Sequence, residues 1–289
     1  MKDGKILFLG EKMNINDFKQ LLKKNNTIDT ITRIIAYPMF LYQYKKSNQF
    51  ALKRKLGYQD NRYLWIKKLY NSHKDERCFI VATGPSLLME DLEKIKNEYS
   101  FSMNSIIKAF SKTKWRPNFY MIQDEYVYDK LEQELSKIAE QENFIIASGG
   151  IIPQKYTSAK IYKEFALHYL NHKMFHRKGY GEFKFSDDCY SMIYDGYTVT
   201  FSVLQMACYM GFKEIYLLGC DCNYNLSKSH FIDYGHHDPK AAIMGDKMIY
   251  GHYEFKKFAD SKGIKVINCT RGGMLEVYPR RDLETVLRR

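Results

Sequence analysis

Residues 198–223, TVTFSVLQMACYMGFKEIYLLGCDCN, constrain the fold more than any other stretch of the chain. Val199, Val203, Met206, Ala207 and Met210 recur near helical spacing and give one apolar face. Gly211 follows as a C-terminal stop. Glu214–Leu218 is then a short apolar run between Gly211 and Gly219, and it predicts a central strand of a parallel sheet. Ligands of open α/β sheets bind just beyond the carboxyl ends of the strands. The polar tip formed by Gly219, Cys220, Asp221, Cys222 and Asn223 falls at such an end.

The 289 residues suffice for one large or two modest domains, and 45% hydrophobic with 15% aromatic content excludes a disordered chain. No apolar run reaches the roughly eighteen residues that a membrane span needs. The apolar run ending at Gly10 is too short for a signal peptide, so the cytoplasm is the expected compartment. The six cysteines lack zinc spacing and read as reduced thiols in core positions. A net charge of +12 would attract anionic partners. The excess gathers before residue 75, in Lys45, Lys46, Lys53, Arg54, Lys55, Arg62, Lys67 and Lys68, interleaved with Tyr42, Tyr44, Phe50, Tyr58, Tyr63, Trp65 and Tyr70. That pattern fits a solvated helical face or peripheral contact with a membrane. No RNA-binding signature accompanies it, so nucleic acid is not expected as a partner.

Along the chain, residues 5–10 predict a first strand. Residues 28–72 predict helix interrupted at Pro38, and the charged run 73–76 predicts a joint. The expected division is therefore a basic, aromatic, mostly helical region over 1–75 and a catalytic domain over 76–289. Residues 77–82 form an apolar strand that runs into Thr83, Gly84, Pro85 and Ser86 before a helix-like segment from Met89. Strand, glycine turn and helix make the first βα unit of a nucleotide-binding half. Glycine would let backbone approach a ligand, and the helix start would offer N–H groups to a phosphate unless Ser86 merely caps it. Further strands end at Asn104, at Gln123 and Asp124, and at Ser148. Alternating strands and helices imply a parallel sheet. Residues 151–195 lose this rhythm and read as an insertion. It carries His168, His172 and His176 at helical spacing, but no carboxylate completes a metal set. A lid is expected over about 222–250, with His230 and His236. A helix from His252, a last strand at 264–267 and the polar end at 268–273, with Arg271, follow.

Three segments together resemble a known family. The run from Ala82 to Leu87 is similar to the GNGPSL opening of the bacterial lipooligosaccharide sialyltransferases, glycosyltransferase family forty-two. Residues 101–104 resemble their second-strand asparagine segment, and 198–221 their TSG-helix-GYKEIYLSGID segment. Residues 77 to 275 also resemble a broader family whose characterised archaeal members are 6-hydroxymethylpterin diphosphokinases, and Asn268 to Arg280 resemble it especially. The resemblance implies an α/β fold: a Rossmann-like parallel sheet, a variant of the GT-A type, with a lid.

It also implies a nucleotide-sugar donor, CMP-linked in the sialyltransferases, held by Thr83, Gly84, Pro85, Ser86 and Asn104. Gln123, Asp124, Thr198, Thr200, Gly219, Asn223 and Tyr224 would complete that site. Asp221 matches the aspartate that ends the family's strand. The segment from Ser229 to His236 is similar to the family's SHYIGHS lid segment, which makes His236 the first choice as general base and His230 the second. The family's two phosphate-binding tyrosines fall at Asn223 and Ser229, where Tyr224 or Tyr234 would substitute, and Arg271 would meet a phosphate or the acceptor. Without an Asp-x-Asp pair, the expected enzyme is metal-independent and inverting, needs no cofactor, and serves surface-polysaccharide or lipooligosaccharide synthesis. Its acceptor would be a glycan or lipid-linked sugar, and a homo-oligomer stays open. The alternatives are a Mg²⁺-dependent diphosphokinase, with Asp124, Glu125 and Asp221 as clustered carboxylates, and a non-catalytic nucleotide-binding protein.

Overall fold

A computed structural model of the chain describes residues 5–8, 11–14, 26–138, 145–148, 160–162, 164–165, 183–223, 230–232 and 241–288. In chain order, strands β1 (Lys5–Phe8) and β2 (Glu11–Asn14) precede helices α1 (Asn26–Lys55) and α2 (Leu64–Lys67). Then come β3 (Arg77–Val81), α3 (Met89–Lys94), β4 (Ser100–Met103), a 3-10 run (Asn104–Ser111), β5 (Phe119–Ile122) and α4 (Glu125–Ile138). Short strands β6 (Ile145–Ser148), β7 (Lys160–Tyr162), β8 (Glu164–Phe165) and β9 (Ile193–Tyr194) follow. The chain closes with α5 (Val199–Tyr209), β10 (Glu214–Leu218), α6 (Ala241–Ser261), β11 (Lys265–Asn268) and α7 (Leu283–Leu287).

A seven-stranded sheet in the order β11-β10-β3-β4-β5-β6-β7 forms the centre, and every neighbouring pair runs parallel. The fold is α/β and Rossmann-like. Side chains alternate across the sheet, so both faces are packed. Cys78, Ile80, Phe101, Met121, Ile215 and Leu217 face one core with α5 and with Phe255 and Ala259 of α6. Phe79, Val81, Tyr120, Ile122, Tyr216 and Leu218 face the other, with Leu92, Leu131 and Leu135. The order of strands reverses beside β3: β4 lies on one side of it and β10 on the other.

Helix α5 is buried on every face rather than one, including Thr200, Ser202 and Gln205. The amide of Gln205 accounts for itself there. Its nitrogen donates to the carbonyls of Tyr194 (2.7 Å) and Phe201 (2.9 Å), and its oxygen accepts from the N–H groups of Ser186 (2.9 Å) and Tyr194 (3.1 Å). Those bonds lash residues 183–195 to the helix.

Four expectations change. The strand at Lys5–Phe8 stays outside the main sheet and pairs antiparallel with β2. Helix α1 runs through Pro38 without stopping. Proline removes one N–H from a ladder of 30 residues, and Pro38 is exposed, where the loss is met by water. The stop comes at Gly57, whose φ of +96° only glycine adopts readily. Residues 241–250, expected within a lid, form the first half of α6. The charged run 73–76 is not a hinge. The N–H groups of Asn71, His73 and Asp75 cap the carbonyls of Tyr209, Met210 and Gly211 at the end of α5. Tyr63 and Ile66 lie in the same core as the sheet. The buried guanidinium of Arg54 donates to the carbonyls of Tyr190 (2.8 Å) and Ser191 (3.0 Å), tying the last turn of α1 to this body. Charge at 73–76 therefore marks a solvated loop.

Candidate nucleotide site at the carboxyl rim

The sheet brings the polar strand ends to one rim in sheet order: residues 268–273 after β11, 219–223 after β10, 83–86 after β3, Asn104 after β4, and Gln123 and Asp124 after β5. Side-chain contacts sort these residues into two groups.

The first straddles the reversal between β3 and β10. Ser86 Oγ donates to Asp221 Oδ2 at 2.8 Å, and the Gly84 N–H donates to the Gly219 carbonyl at 2.8 Å. A Cβ built on Gly84 would lie 1.9 Å from Asp221 Oδ2 and 2.5 Å from the Gly219 oxygen. Glycine is thus required because the Asp221 carboxyl fills the space beside it, and not, as the sequence suggested, to admit a ligand to the backbone. Gly273 presses on the same residue from behind, where a Cβ would be 2.7 Å from the Asp221 carbonyl oxygen. The Met274 N–H donates to that oxygen at 2.7 Å. Asp221 is buried, and desolvation raises its pKa above the ordinary carboxylate value, although the Ser86 bonds pull the other way. The buried carboxyl has a hydroxyl partner in Ser86, and the Arg280 charge acts on it only through space, favouring the ionised form. Pro85 sits in this turn. The Thr83 carbonyl accepts from the N–H of Phe231 at 2.7 Å, which sets His230 beside the turn.

The second group surrounds the start of α5. Thr198 caps that helix, accepting from the Thr200 N–H at 3.3 Å, and the two hydroxyls meet at 3.1 Å. Thr200 Oγ1 also reaches Met103 Sδ at 3.4 Å, and Ser202 Oγ donates to Gln123 Oε1 at 2.7 Å. Asn104 is held at φ +49°, its carbonyl accepting from the Tyr120 hydroxyl at 2.7 Å. Its Oδ1 is buried and has no hydrogen-bond partner among the described residues. Left-handed backbone and an orphaned acceptor at a strand end cost energy, and such strain collects at ligand sites. Cys222 carries similar strain at φ +51°.

Several expectations take another role. Arg271 is engaged: its guanidinium forks onto both oxygens of the buried Asp91 carboxylate, with Nη2 to Oδ1 at 2.7 Å. It fastens the 268–273 turn to α3 instead of waiting for a phosphate. Ser86 does not cap α3, whose N-cap is Leu88 with Asp91 accepting from its N–H at 3.0 Å. That helix has only six residues, a weak dipole for a phosphate. Asp124 caps α4, accepting from the N–H groups of Tyr126 (2.8 Å) and Val127 (3.2 Å). Asn223 is partly exposed at the end of the described run. Tyr224, Tyr234 and His236, like His168, His172 and His176, lie outside the described residues. Sequence reasoning missed Gly273, Thr270 and Ser202. Thr270 Oγ1 accepts from the Cys220 N–H at 3.0 Å and so shapes the β10 end. The glycine pair at 272–273 was the one available signal.

A family model, 6-hydroxymethylpterin diphosphokinase MptE-like, matches residues 58–226, more than half of the chain. The chain belongs to this MptE-like family. The matched span starts before the 73–76 loop and takes in β3, β10, Ser86 and Asp221, but not Gly273. No curated protein matches the chain in sequence. Among solved structures, the chain is similar to the MAf glycosyltransferase from Magnetospirillum magneticum AMB-1, at 18% identity and a TM-score of 0.49. That match covers 75% of this chain and 35% of the other, so the chain spans about a third of that enzyme's length. It is also similar to a mammalian sialyltransferase, solved with Gal-beta-1-3GalNAc-ortho-nitrophenol, at 12% identity and a TM-score of 0.35. That match covers 80% of this chain and 86% of the other.

Proposed function

We propose that the rim of this MptE-like protein binds a nucleotide-activated sugar, CMP-linked by preference, and that the protein transfers the sugar to a glycan or lipid-linked acceptor. The observation that carries this reading is the Ser86–Asp221 pair at the point where strand order reverses, the position at which open α/β sheets take nucleotides. Asn104, with its unpartnered Oδ1, supplies a polar contact for the base or ribose on the neighbouring strand. His230, set beside Thr83, or His236 removes the acceptor proton. The acceptor oxygen then bonds the anomeric carbon as the sugar–phosphate bond breaks, with inversion, and the nucleotide leaves with that electron pair. Tyr224 or Tyr234 steadies the leaving phosphate.

Membrane-bound acceptors suit the other end of the chain. Nine of the fourteen large apolar side chains that stand exposed among the described residues fall between Ile34 and Tyr70. Exposed Lys45, Lys46, Lys53 and Lys55 stand among them. Among the described residues no helix is long and apolar enough to cross a membrane. In this reading the region rests on the anionic inner leaflet and hands up a lipid-linked sugar of surface-polysaccharide or lipooligosaccharide synthesis.

The family description favours a second reading, diphosphoryl transfer from ATP to a pterin. That chemistry wants Mg²⁺ held by adjacent carboxylates. Asp221 and Asp124 follow strands three places apart, roughly 14 Å at the usual strand spacing. Asp124 is also spent as a helix cap. Those two do not fit one ion, and Glu125, which follows Asp124 directly, stands on the same strand end, away from Asp221.

A thermal-shift series with CMP, CDP, UDP, GDP and ATP, with and without Mg²⁺, separates the readings, because ligands of the native state raise the melting point. Stabilisation by CMP without Mg²⁺, followed by turnover of a CMP-sugar, is the expected result. Stabilisation by ATP and Mg²⁺ alone, with pterin diphosphate formed, replaces the first reading with the second.

A further inference from the structure

At the opposite end of the sheet lies a half-open cavity of about 300 Å³. Four segments wall it: the loop with Tyr70, Asn71 and Lys74, the segment with Asp187, the end of α5 with Cys208 and Lys213 just beyond it, and the end of α6 with Phe258 and Lys262. It lies at the amino ends of β3, β10 and β11, about one strand length, roughly 17 Å, from the rim. The rim chemistry uses none of these residues.

Charge, shape and rings point to one kind of ligand. Three ammonium groups, of Lys74, Lys213 and Lys262, line the cavity against the single carboxylate of Asp187. Lys262 Nζ bonds that carboxylate at 3.1 Å, and Lys213 Nζ donates to the Lys262 carbonyl at 3.1 Å. Lys74 is exposed and has no ion pair among the described residues. The excess of two positive charges matches a phosphate monoester, which carries about −1.5 to −2 near neutral pH. Carbonyls at the end of α5 would repel such an anion, but loop N–H groups already occupy them: Asn71 on Tyr209 (3.1 Å), His73 on Met210 (2.9 Å) and Asp75 on Gly211 (3.1 Å). That loop holds two non-glycine residues in left-handed backbone, Asn71 (φ +51°) and Asp75 (φ +65°), and so has a fixed, costly shape. The rings of Tyr70 and Tyr209, 5.3 Å apart and tilted at 53°, with Phe258 opposite, give an apolar wall for a ring.

We infer that this cavity is a second ligand site, separate from the rim, for a small phosphate monoester with a ring. The ring lies against Tyr70 and Tyr209, and the phosphate meets Lys74 and Lys213.

The cysteines provide a test that is independent of activity. All six are unpaired, and only Cys208 and Cys222 are not fully buried. Cys208 lines the cavity, and Cys222 follows Asp221 at the rim. Burial lifts both thiols to about 12, so labelling is run slowly at mildly alkaline pH and read by mass spectrometry for each site. The probes are p-nitrophenyl phosphate, inorganic phosphate and p-nitrophenol on the full chain. p-Nitrophenyl phosphate is expected to slow Cys208 labelling at least fivefold while Cys222 is unaffected, with inorganic phosphate weaker and p-nitrophenol inactive. Lys74→Glu, at an exposed loop position, should weaken that protection about tenfold. Protection of Cys222 by CMP would report on the rim reading separately, whatever CMP does at Cys208, because CMP is itself a ring-bearing phosphate monoester. Three results would overturn the inference: no protection of Cys208, equal protection of both cysteines, or protection that survives both Lys74→Glu and Lys213→Glu in protein with an unchanged melting point.

Discussion

At their amino ends, β3, β10 and β11 begin with charged side chains that pair: part-buried Arg77 with Glu98, and exposed Lys265 with Glu214. At their carboxyl ends they finish in glycine, hydroxyl and one buried carboxyl, packed so closely that Gly84 and Gly273 have no room for a methyl group. The exposed Lys265–Glu214 pair is replaceable because water competes for it. The carboxyl end is arranged for geometry, with each residue fixed by two or three others. Rim function should therefore be brittle to changes at the carboxyl end and tolerant of changes in that exposed pair.

The sharpest break would come from Asp221→Asn, which keeps the shape and removes the charge. Turnover of the nucleotide-sugar should fall by about two orders of magnitude. Stability should move the other way. Burial raises the Asp221 pKa, so the stability this group contributes is full below its ordinary value of 3.8 and is lost as pH rises through the raised one. The variant should melt higher than the parent at neutral pH, and the gap should close as pH falls toward 3.8. A lower melting point at neutral pH would mean that the carboxylate has a cationic partner.

Gly84→Ala comes next. The new methyl would collide with Asp221 and with the Gly219 carbonyl, costing about 1–3 kcal/mol and several degrees in melting temperature, with nucleotide binding lost as well. Unchanged melting and binding would show that the turn has slack. Arg271→Ala leaves the Asp91 carboxylate buried without its fork and should cost about 1–2 kcal/mol in denaturant titrations. KM for the donor should stay within about twofold. A large rise in KM with intact stability would return Arg271 to the ligand. At the amino end, Lys265→Ala breaks an exposed pair 3.5 Å long and should change stability by less than about 0.5 kcal/mol and activity not at all.

The same contrast explains what the sequence disclosed. Strands β3 and β10 were legible because a strand buried on both faces is an unbroken apolar run, and glycine marks where each stops. Helix α5 was legible in extent but not in environment. Its apolar face was read correctly, but Thr200, Ser202 and Gln205 are buried too, against Met103, Gln123 and the 183–195 segment. Pro38 misled because a proline rule is local, and a long helix absorbs one missing bond. The rim was legible as a set of strand ends. Its wiring was not: Ser86 and Asp221 are 135 residues apart, and Arg271 and Asp91 are 180 apart. From sequence alone an arginine in a glycine-rich turn could bind phosphate or carboxylate, and only the fold brought Asp91 to it.

The pairing of β3 with β10 has a consequence for how the protein is made. Ribosomes add roughly 5–20 residues each second, so Asp221 emerges about ten seconds after Ser86 at a separation of 135 residues. Throughout that interval β3, apolar from Cys78 to Val81, has an open sheet edge, the kind that recruits strands from other nascent chains. Synthesis in a cell poor in chaperones should therefore yield aggregates nucleated at residues 77–82, and slowing translation should make the yield of soluble protein worse.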